Sequence, residues 1–279
     1  MVAFNTRSFK IKAALVSVCI ALGTLSWMIR GATKQEHAVK DPNTCLYVPG
    51  GGFSGFFYNI GHLQATSTAK PTSANKLIAG SENDNGDTDY YCYSAGCLAT
   101  TAALGNITVY DVYGACMDIQ DLMWTGDISQ FEVVEEFVDY LISTGRERTL
   151  NDAALAKMHI ITTVVLPAEG WLSLPKLETV VRTPQSLEEL KEMLLQTAWI
   201  PGVTGNGLVS DDHLDGGLTI FSHPDCPSAV EPPQLTWTWE SLAFYANALF
   251  GVNMSKEQAE RFWSAGVKRG LQVAGHKVR

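Results

Sequence analysis

A short stretch of the chain, residues 91–104, constrains more than any other how this protein can fold. Its beginning, Tyr91-Cys92-Tyr93, predicts the end of a buried strand, and the small apolar residues from position 95 onward predict a helix. Ser94 then lies on a sharp turn between the two, which is the layout of a nucleophile elbow. The pattern is Cys-x-Ser-x-Gly rather than Gly-x-Ser-x-Gly. Taken alone, it favours a buried serine at the start of a helix over a nucleophile.

A glycine-rich turn lies upstream of this stretch, at residues 49–55. The β-prone run at residues 44–48 predicts the first buried strand, and residues 56–64 have the apolar spacing of a helix. A turn between a strand and a helix presents free backbone N–H groups at the helix N-terminus, where anions bind. The turn is therefore a candidate site for a phosphate or for an oxyanion.

The glycine-rich turn does not match a nucleotide-binding motif in full. A Walker A motif needs a lysine after its glycines, and none is present here. Residues 50–55 satisfy the Gly-x-Gly-x-x-Gly pattern of dinucleotide-binding domains, but residues 69–75 hold no acidic residue for the ribose. We therefore predict that the protein uses no nucleotide and no other cofactor.

An acidic turn further along the chain contains Asp215, followed by Gly216 and Gly217. Two glycines after an aspartate allow the backbone to approach another element closely. We expect a strand at residues 218–221 directly after this turn. By itself, the pattern favours an exposed Asp-Gly turn.

Ester or amide hydrolysis by a serine needs a positioned hydroxyl, donors for the developing oxyanion, and a base that takes the serine proton. Ser94 is the candidate for the hydroxyl. The backbone at Gly50, Gly51 and Gly52 is the candidate for the donors. From the residues alone, the base is either a histidine or an aspartate.

The remaining pattern alternates strands with helices, which predicts an α/β layered domain. Strands are expected at residues 159–165, 177–181 and 236–239, and helices at residues 130–143, 151–158, 186–199, 242–250 and 256–271. Ser186 is the predicted N-cap of its helix, with Glu189 completing a capping box. Residues 111–129 allow no firm assignment. Four aromatic residues near the C-terminus are expected in the core: Trp237, Trp239, Phe262 and Trp263.

The N-terminal part predicts a membrane segment. Residues 13–29 hold no charge and follow a basic stretch; at ~1.5 Å per residue they reach about 25 Å, slightly less than the ~30 Å hydrocarbon layer. An uncleaved signal anchor is favoured over a cleaved signal peptide, with residues 1–12 cytoplasmic and the domain lumenal or extracellular. The alternative is a secreted protein. Residues 30–43 are the predicted linker, and residues 44–275 the predicted single domain.

Charge and glycosylation patterns bear on the partners. Sequons at Asn106 and Asn253 predict N-glycosylation on the lumenal or extracellular side. A net charge of −9 and the lack of a basic stripe exclude nucleic acid as an expected partner. The same charge argues against electrostatic docking of the globular part on an anionic bilayer.

Five of the six cysteines follow the apolar segment, and their spacing is irregular. One bridge is expected at most, joining Cys45 or Cys116 to Cys226. Cys92 and Cys97 are interpreted as small packing residues rather than half of a zinc site. The acidic loop before the Ser94 strand fails the glycine and glutamate positions of a calcium loop. No metal site is predicted.

Together, three motifs resemble those of the patatin-like phospholipase family. That family has a Gly-Gly-Gly-x-Arg/Lys-Gly turn, then Gly-x-Ser-x-Gly, then Asp-Gly-Gly or Asp-Gly-Ala. The corresponding residues occur here in the same order: Gly50, Gly51, Gly52, Phe53, Ser54, Gly55; Cys92, Tyr93, Ser94, Ala95, Gly96; Asp215, Gly216, Gly217. The resemblance covers roughly residues 44–250. It implies a three-layer α/β fold with a central, mostly parallel sheet and flanking helices.

The resemblance also implies a chemistry. Ser94 would attack the acyl carbonyl, and Asp215 would act on the serine hydroxyl directly as the base. Backbone amides of Gly51, Gly52 and Phe53 would hold the oxyanion, with no metal. The implied function is that of a lipid acyl hydrolase, of phospholipase A or lipase type, that cleaves fatty-acyl esters of a membrane lipid or an acylglycerol.

Two positions depart from the family pattern. Ser54 stands where the family has Arg or Lys, and Cys92 replaces the first glycine of the elbow. The first change removes a positive charge near the oxyanion or a lipid phosphate. These departures support an alternative, a membrane-tethered lipid-binding domain that keeps the fold and has little or no activity.

A second alternative is a Ser-His-Asp α/β-hydrolase esterase. The chain order would be Ser94, then Asp212 or Asp215, then His223 or His276. His223 follows Asp215 by only eight residues, which is a short connection between two strands.

Overall fold

The computed structural model describes residues 45–68, 88–167, 175–219, 226, 229–230 and 255–273. No helix within these residues is long and apolar enough to span a bilayer. Several predictions from the sequence lie outside the described residues: the anchor at residues 13–29, the linker at 30–43, the strand at 236–239, the helix at 242–250, and the side chains of His223, Trp237, Trp239, Asn253 and His276.

A mixed, open sheet forms the centre of the described structure. Its strands are β1 (Cys45–Val48), β2 (Asp89–Cys92), β3 (Met158–Leu166), β4 (Lys176–Arg182) and β5 (His213–Asp215). β1, β2 and β3 run parallel, and β4 and β5 pair antiparallel with β3. The α/β class predicted from the sequence is therefore confirmed, with helices flanking a sheet of mostly parallel strands.

The strands β2 and β5 share one side of β3. Cys92, the last residue of β2, is opposite Ile160, whereas Asp215, the last residue of β5, is opposite Thr162. The other side of β3 is taken by β4 along its length. β5 therefore lies in line with β2 and points towards it, so that the two strand ends meet two positions apart on β3.

Seven helices complete the described elements, and most match the sequence patterns. They are α1 (Gly52–Thr68), α2 (Ala95–Leu104), α3 (Val109–Thr125), α4 (Val133–Arg148), α5 (Asp152–Leu155), α6 (Leu187–Thr197) and α7 (Lys256–Val273). α3 occupies the region that the sequence left unassigned. Its N-terminus has a capping box formed by Thr108 and Asp111. Ser186 caps α6 as predicted, but the Glu189 carboxylate accepts from the Gln185 N–H, so the reciprocal half of the box is displaced by one residue.

Two boundary predictions were wrong. α1 begins at Gly52, four residues before the predicted start, because the bond from Gly55 N to Gly51 O already closes a helical turn there. Of the strand predicted at residues 218–221, residues 220 and 221 lie outside the described residues, and Leu218 instead ends a 3₁₀ turn, Gly216–Leu218. Gly217 N donates to the Asp215 side chain, which caps this turn. The strand lies before the turn instead, since pairing with β3 holds residues 213–215 extended.

The two faces of the sheet carry separate apolar clusters. On β1, Leu46 and Val48 belong to the main core beneath the helices, whereas Cys45 and Tyr47 belong to a smaller cluster. This alternation follows from the two-residue period of a strand. In the main core α1 packs against α2 and α7, α2 against α4, and α4 against α6. Phe262 is buried there, as expected, and Trp263 is partly buried against it.

Two disulfides connect described cysteines. Cys45–Cys226 is one of the two pairings that the sequence left open. Cys92–Cys97 was not predicted, and the interpretation of these residues as small packing residues was wrong. The turn at Ser94 folds the first turn of α2 back against the end of β2, which brings the two Cα atoms to 4.8 Å. Cys116 is a free thiol whose pKa is raised by burial.

Candidate active site

Ser94 lies on the strand–turn–helix corner that the sequence indicates. It follows β2, precedes α2, and has φ 51° and ψ −136°, a conformation that residues with a Cβ rarely adopt. Such strained backbone occurs preferentially at active sites. The helix can turn this tightly because Gly96 approaches β1: a Cβ there would lie 2.2 Å from the Val48 carbonyl oxygen. Gly96 is therefore required by the corner itself.

Asp215 is the partner of the Ser94 side chain. The Ser94 hydroxyl lies close enough to the Asp215 carboxyl to lower its pKa, and Gly217 N donates to Asp215 Oδ1 at 2.7 Å. The Asp215 side chain is buried, with the residue only 5 % exposed. Burial raises the pKa of Asp215 from 3.8 to about 6, against the opposing effect of the two hydrogen bonds. A pKa near the working pH is the value that suits a general base.

The turn after Asp215 lies close to β3 and to Tyr93, the residue between β2 and Ser94. A Cβ on Gly216 would lie 2.3 Å from the Ile161 carbonyl oxygen and 2.8 Å from Tyr93 Cβ. A Cβ on Gly217 would lie 2.9 Å from the ring of Tyr93. Both glycines of the Asp-Gly-Gly motif are therefore needed for the carboxyl to reach Ser94.

The glycine-rich turn lies on the other side of the serine. A Cβ on Gly50 would lie 2.9 Å from Ser94 Cβ, so this residue directly adjoins Ser94. Gly51 (φ 135°) and Gly52 (φ 60°) adopt left-handed backbone conformations that favour glycine. Gly55 also needs its lack of a side chain, since a Cβ there would lie 2.8 Å from the Gly50 carbonyl oxygen.

The N-terminus of α1 begins two residues after Gly50, the glycine that adjoins Ser94. The first helical hydrogen bond runs from Gly55 N to Gly51 O at 3.0 Å. The N–H groups of Gly51, Gly52 and Phe53 precede it and have no carbonyl partner within the helix. Their position at the positive end of the helix dipole suits a developing oxyanion.

Ser54, which stands where the Gly-Gly-Gly-x-Arg/Lys-Gly motif has a basic residue, faces inward. Its hydroxyl donates to Gly51 O at 2.9 Å, and the residue is 6 % exposed. The side chain therefore stabilises the glycine turn and provides no charge to a substrate.

Two residues at the site were missed by the sequence reasoning. The hydroxyl of Tyr93 lies beside the Gly50 backbone and the Tyr47 side chain, and its pKa is raised by burial and by the negative charge of Asp215. Thr197 accepts from Ser94 N at 2.9 Å. The aromatic character of Tyr93 suggested only a core role, and the C-terminal threonine of α6 had no local signal at all.

Other predicted residues lie away from this geometry. Asp212 is exposed, and its carbonyl accepts from Val165 N. The ring of His213 is hydrogen-bonded to the Asp211 carbonyl. Asn106 is exposed just after α2, where its carbonyl accepts from Arg148, so its side chain is accessible to a modifying enzyme.

Within the part of the chain that the structure describes, no three His, Cys, Asp or Glu side chains cluster as metal ligands would. Comparison of the chain with protein-family models, with curated proteins and with solved structures gives no match.

Proposed function

We propose that the protein is a serine-dependent lipid acyl hydrolase of the patatin-like type, with Ser94 and Asp215 as a catalytic dyad. One observation carries the proposal: Ser94, in a strained backbone conformation at the N-terminus of α2, has its hydroxyl beside the buried Asp215 carboxyl. Nucleophile, base and oxyanion donors are the three parts that ester hydrolysis needs.

In the proposed first half-reaction, the Asp215 carboxylate takes the proton of the Ser94 hydroxyl while Oγ attacks the acyl carbonyl. The N–H groups of Gly51, Gly52 and Phe53 stabilise the oxyanion that forms. The bond to the alcohol then breaks, and the alcohol leaves with the proton from Asp215. In the second half-reaction a water gives its proton to Asp215 and attacks the acyl carbonyl, and Ser94 recovers the proton as the acid leaves.

The finer fold assignment belongs to the same proposal. Helices α1, α2, α4 and α6 bury one face of the sheet, and the cluster around Tyr47 and Cys226 lies on the other. Apolar burial on both faces supports a three-layer, patatin-like arrangement.

The proposed substrate is a fatty-acyl ester of a membrane lipid or an acylglycerol, in a compartment topologically outside the cytosol. Two disulfides support an oxidising compartment. The uncharged segment at residues 13–29 supports a single-pass anchor there, with a secreted form as the alternative.

The test is labelling with a fluorophosphonate, which reacts with activated serines. Wild-type protein should be labelled and Ser94→Ala should not. Ser143→Ala is the matched control, because Ser143 is exposed on α4 and bonds only the Tyr140 carbonyl among the described contacts. It should be labelled like wild type. Folded wild-type protein that stays unlabelled would favour the lipid-binding domain without activity, which the uncharged Ser54 position supports.

Ester hydrolysis by further variants separates the two catalytic schemes. Asp215→Ala should abolish turnover, whereas His223→Ala and His276→Ala should retain it. A large loss in either histidine variant, with Asp215→Ala active, would replace the dyad by a Ser-His-Asp triad. Lipid profiling with the active form then identifies the substrate class.

A further inference from the structure

We infer that Thr197 is a positioning residue that sets the placement of Ser94 relative to Asp215. This inference rests on the proposed function. Thr197 is the last residue of α6 and is fully buried. Its hydroxyl accepts a hydrogen bond from Ser94 N at 2.9 Å and donates one to the Ile161 carbonyl of β3 at 2.6 Å. One side chain thus joins the nucleophile corner to the central strand.

The Thr197 hydroxyl compensates for the unusual backbone of Ser94. Ser94 lies beyond the end of β2, so its N–H takes no part in the pairing of β2 with β3, and the residue is only 9 % exposed. A buried N–H needs a hydrogen-bond partner, and a hydroxyl can accept from one group while donating to another. Without this hydroxyl, the Ser94 N–H and the Ile161 carbonyl would both lose that partner in a buried site.

The same segment also holds the base. Asp215 N donates to the Trp199 carbonyl at 2.9 Å, two residues after Thr197. The residue that follows Ile161 on β3 is Thr162, the pairing partner of Asp215. Residues 197–199 therefore contact the backbones of both members of the dyad, and the contact with Ser94 is made by the Thr197 side chain.

Small displacements of reacting groups have large kinetic effects: a misplacement of about 1 Å can cost about 10²-fold in rate. We therefore expect loss of the Thr197 hydroxyl to lower turnover more than substrate binding. The appropriate pair of variants is Thr197→Val, which keeps the branched shape and removes the hydroxyl, and Thr197→Ser, which keeps the hydroxyl.

The experiment measures kcat, KM and their pH dependence with a soluble p-nitrophenyl ester, well below the unfolding temperature. Thr197→Val should lower kcat about 10²-fold with KM within about threefold of wild type, and Thr197→Ser should recover most of the rate. In Thr197→Val, the pH below which the rate falls should also move higher, because a weaker interaction with Ser94 lowers the pKa of Asp215 less. A purely structural role of Thr197 would leave the pH at which the rate falls unchanged in the folded enzyme.

The control is Thr66→Val. Thr66 is also a buried helical threonine, and its hydroxyl bonds the His62 and Leu63 carbonyls near the other end of α1. It should lose stability but keep kcat. If Thr197→Val keeps the kcat of wild type, and its rate falls at the same acid pH, the inference is overturned. If Thr197→Val does not fold, Thr197→Ala and Thr197→Ser are compared, and an equal loss of kcat in both overturns it.

A failure of the proposed function gives a different result. Wild-type protein would then neither hydrolyse esters nor react with the fluorophosphonate. Positioning of the Ser94 backbone is still measurable in that case, because amide hydrogen exchange in residues 93–98 should be faster in Thr197→Val than in Thr197→Ser. Equal exchange in the two variants would count against the positioning role itself.

Discussion

The pKa of Asp215 is set mainly by the burial of its carboxyl. The carboxyl has two hydrogen-bond partners, yet desolvation outweighs them and raises its pKa to about 6. At neutral pH the group is ionised and can accept a proton, but its ionised form is held at a free-energy cost. Two measurable consequences follow at the level of this residue.

The first consequence is a fall in activity at acid pH. The proposed base must be ionised, so kcat/KM should fall as the pH drops through about 6, by about tenfold for each further pH unit. A pH–rate profile with a neutral ester substrate measures this fall. A profile that stays flat down to about pH 4.5 would show that no carboxyl of raised pKa takes part.

The second consequence is a gain in stability when the charge is removed. The Asp215 carboxyl ionises near 3.8 in the unfolded chain and at about 6 in the folded one. The folded state therefore loses stability as the pH rises between these values, by roughly 3 kcal/mol in total, and the loss is complete above the folded pKa. Asp215→Asn should be inactive and more stable than wild type by up to this amount at about pH 7.

Urea unfolding at two pH values measures the effect. The difference between Asp215→Asn and wild type should be present at about pH 7 and small near pH 4, where the native carboxyl is protonated in the folded state. If the stability gained by Asp215→Asn over wild type were no larger at neutral pH than at acid pH, the raised pKa would be contradicted.

Close backbone approaches make individual glycines indispensable. Gly96→Ala places a Cβ against main-chain carbonyl oxygens of Val48 and Pro49, which cannot rotate away. We expect a loss of about 1–3 kcal/mol in unfolding free energy, and reduced labelling of Ser94. The control is Gly114→Ala on α3, where a Cβ would meet no atom within 4 Å. It should stabilise the helix by about 0.5–1 kcal/mol. Equal effects in the two variants would refute the close approach.

At the scale of elements, the corner between β2 and α2 is held by a covalent bond. Cys92 ends the strand and Cys97 lies in the first turn of the helix, so their disulfide closes a short loop around Ser94. The position that departs from the glycine pattern is thereby explained, since the cysteine at the start of the elbow forms a bridge across it.

Removing this bridge should affect activity more than stability. Because a disulfide over so short a loop limits the unfolded chain little, Cys92→Ala with Cys97→Ala should cost only about 2 kcal/mol. The strained corner would be less well held, and we expect kcat to fall about tenfold or more. Unfolding by denaturant and hydrolysis of a soluble ester are the two measurements. Unchanged kcat would show that packing alone holds the corner.

At the scale of the whole molecule, the second disulfide has the opposite role. Cys45 and Cys226 are 181 residues apart in sequence, and their bridge connects β1 to a distant part of the chain on the face of the sheet with the smaller cluster. A long loop restricts the unfolded chain more strongly than a short one.

We therefore expect Cys45→Ala with Cys226→Ala to cost about 4–5 kcal/mol of stability. The kcat of the molecules that remain folded should stay close to wild type, because Cys45 begins β1 and the glycine turn next to Ser94 follows the other end of that strand. Comparison with the Cys92/Cys97 variant provides the control for loss of a disulfide as such. If both double variants lost stability equally and kcat equally, the two bridges would not have the separate roles described.

Much of this architecture follows from local pattern. Helical spacing predicted α4 and α7, the β-branched run predicted β3, and Ser186 predicted the start of α6. The corner at Ser94 and the glycine turn were also readable, because small residues, glycines and strand ends leave a signature within a few positions. These features depend on interactions between neighbours in the sequence.

The tertiary structure decided how the parts meet. β5 is only three residues long and has no strand pattern, so pairing with β3 alone places it in line with β2. The Cys92–Cys97 bridge, the bonds of Thr197 and the helical state of Gly52 likewise depend on contacts that the linear pattern does not encode. The sequence by itself determined the α/β class and the three motifs. Only the fold brought Asp215 to Ser94, because burial and long-range pairing, rather than local propensity, place the carboxyl there.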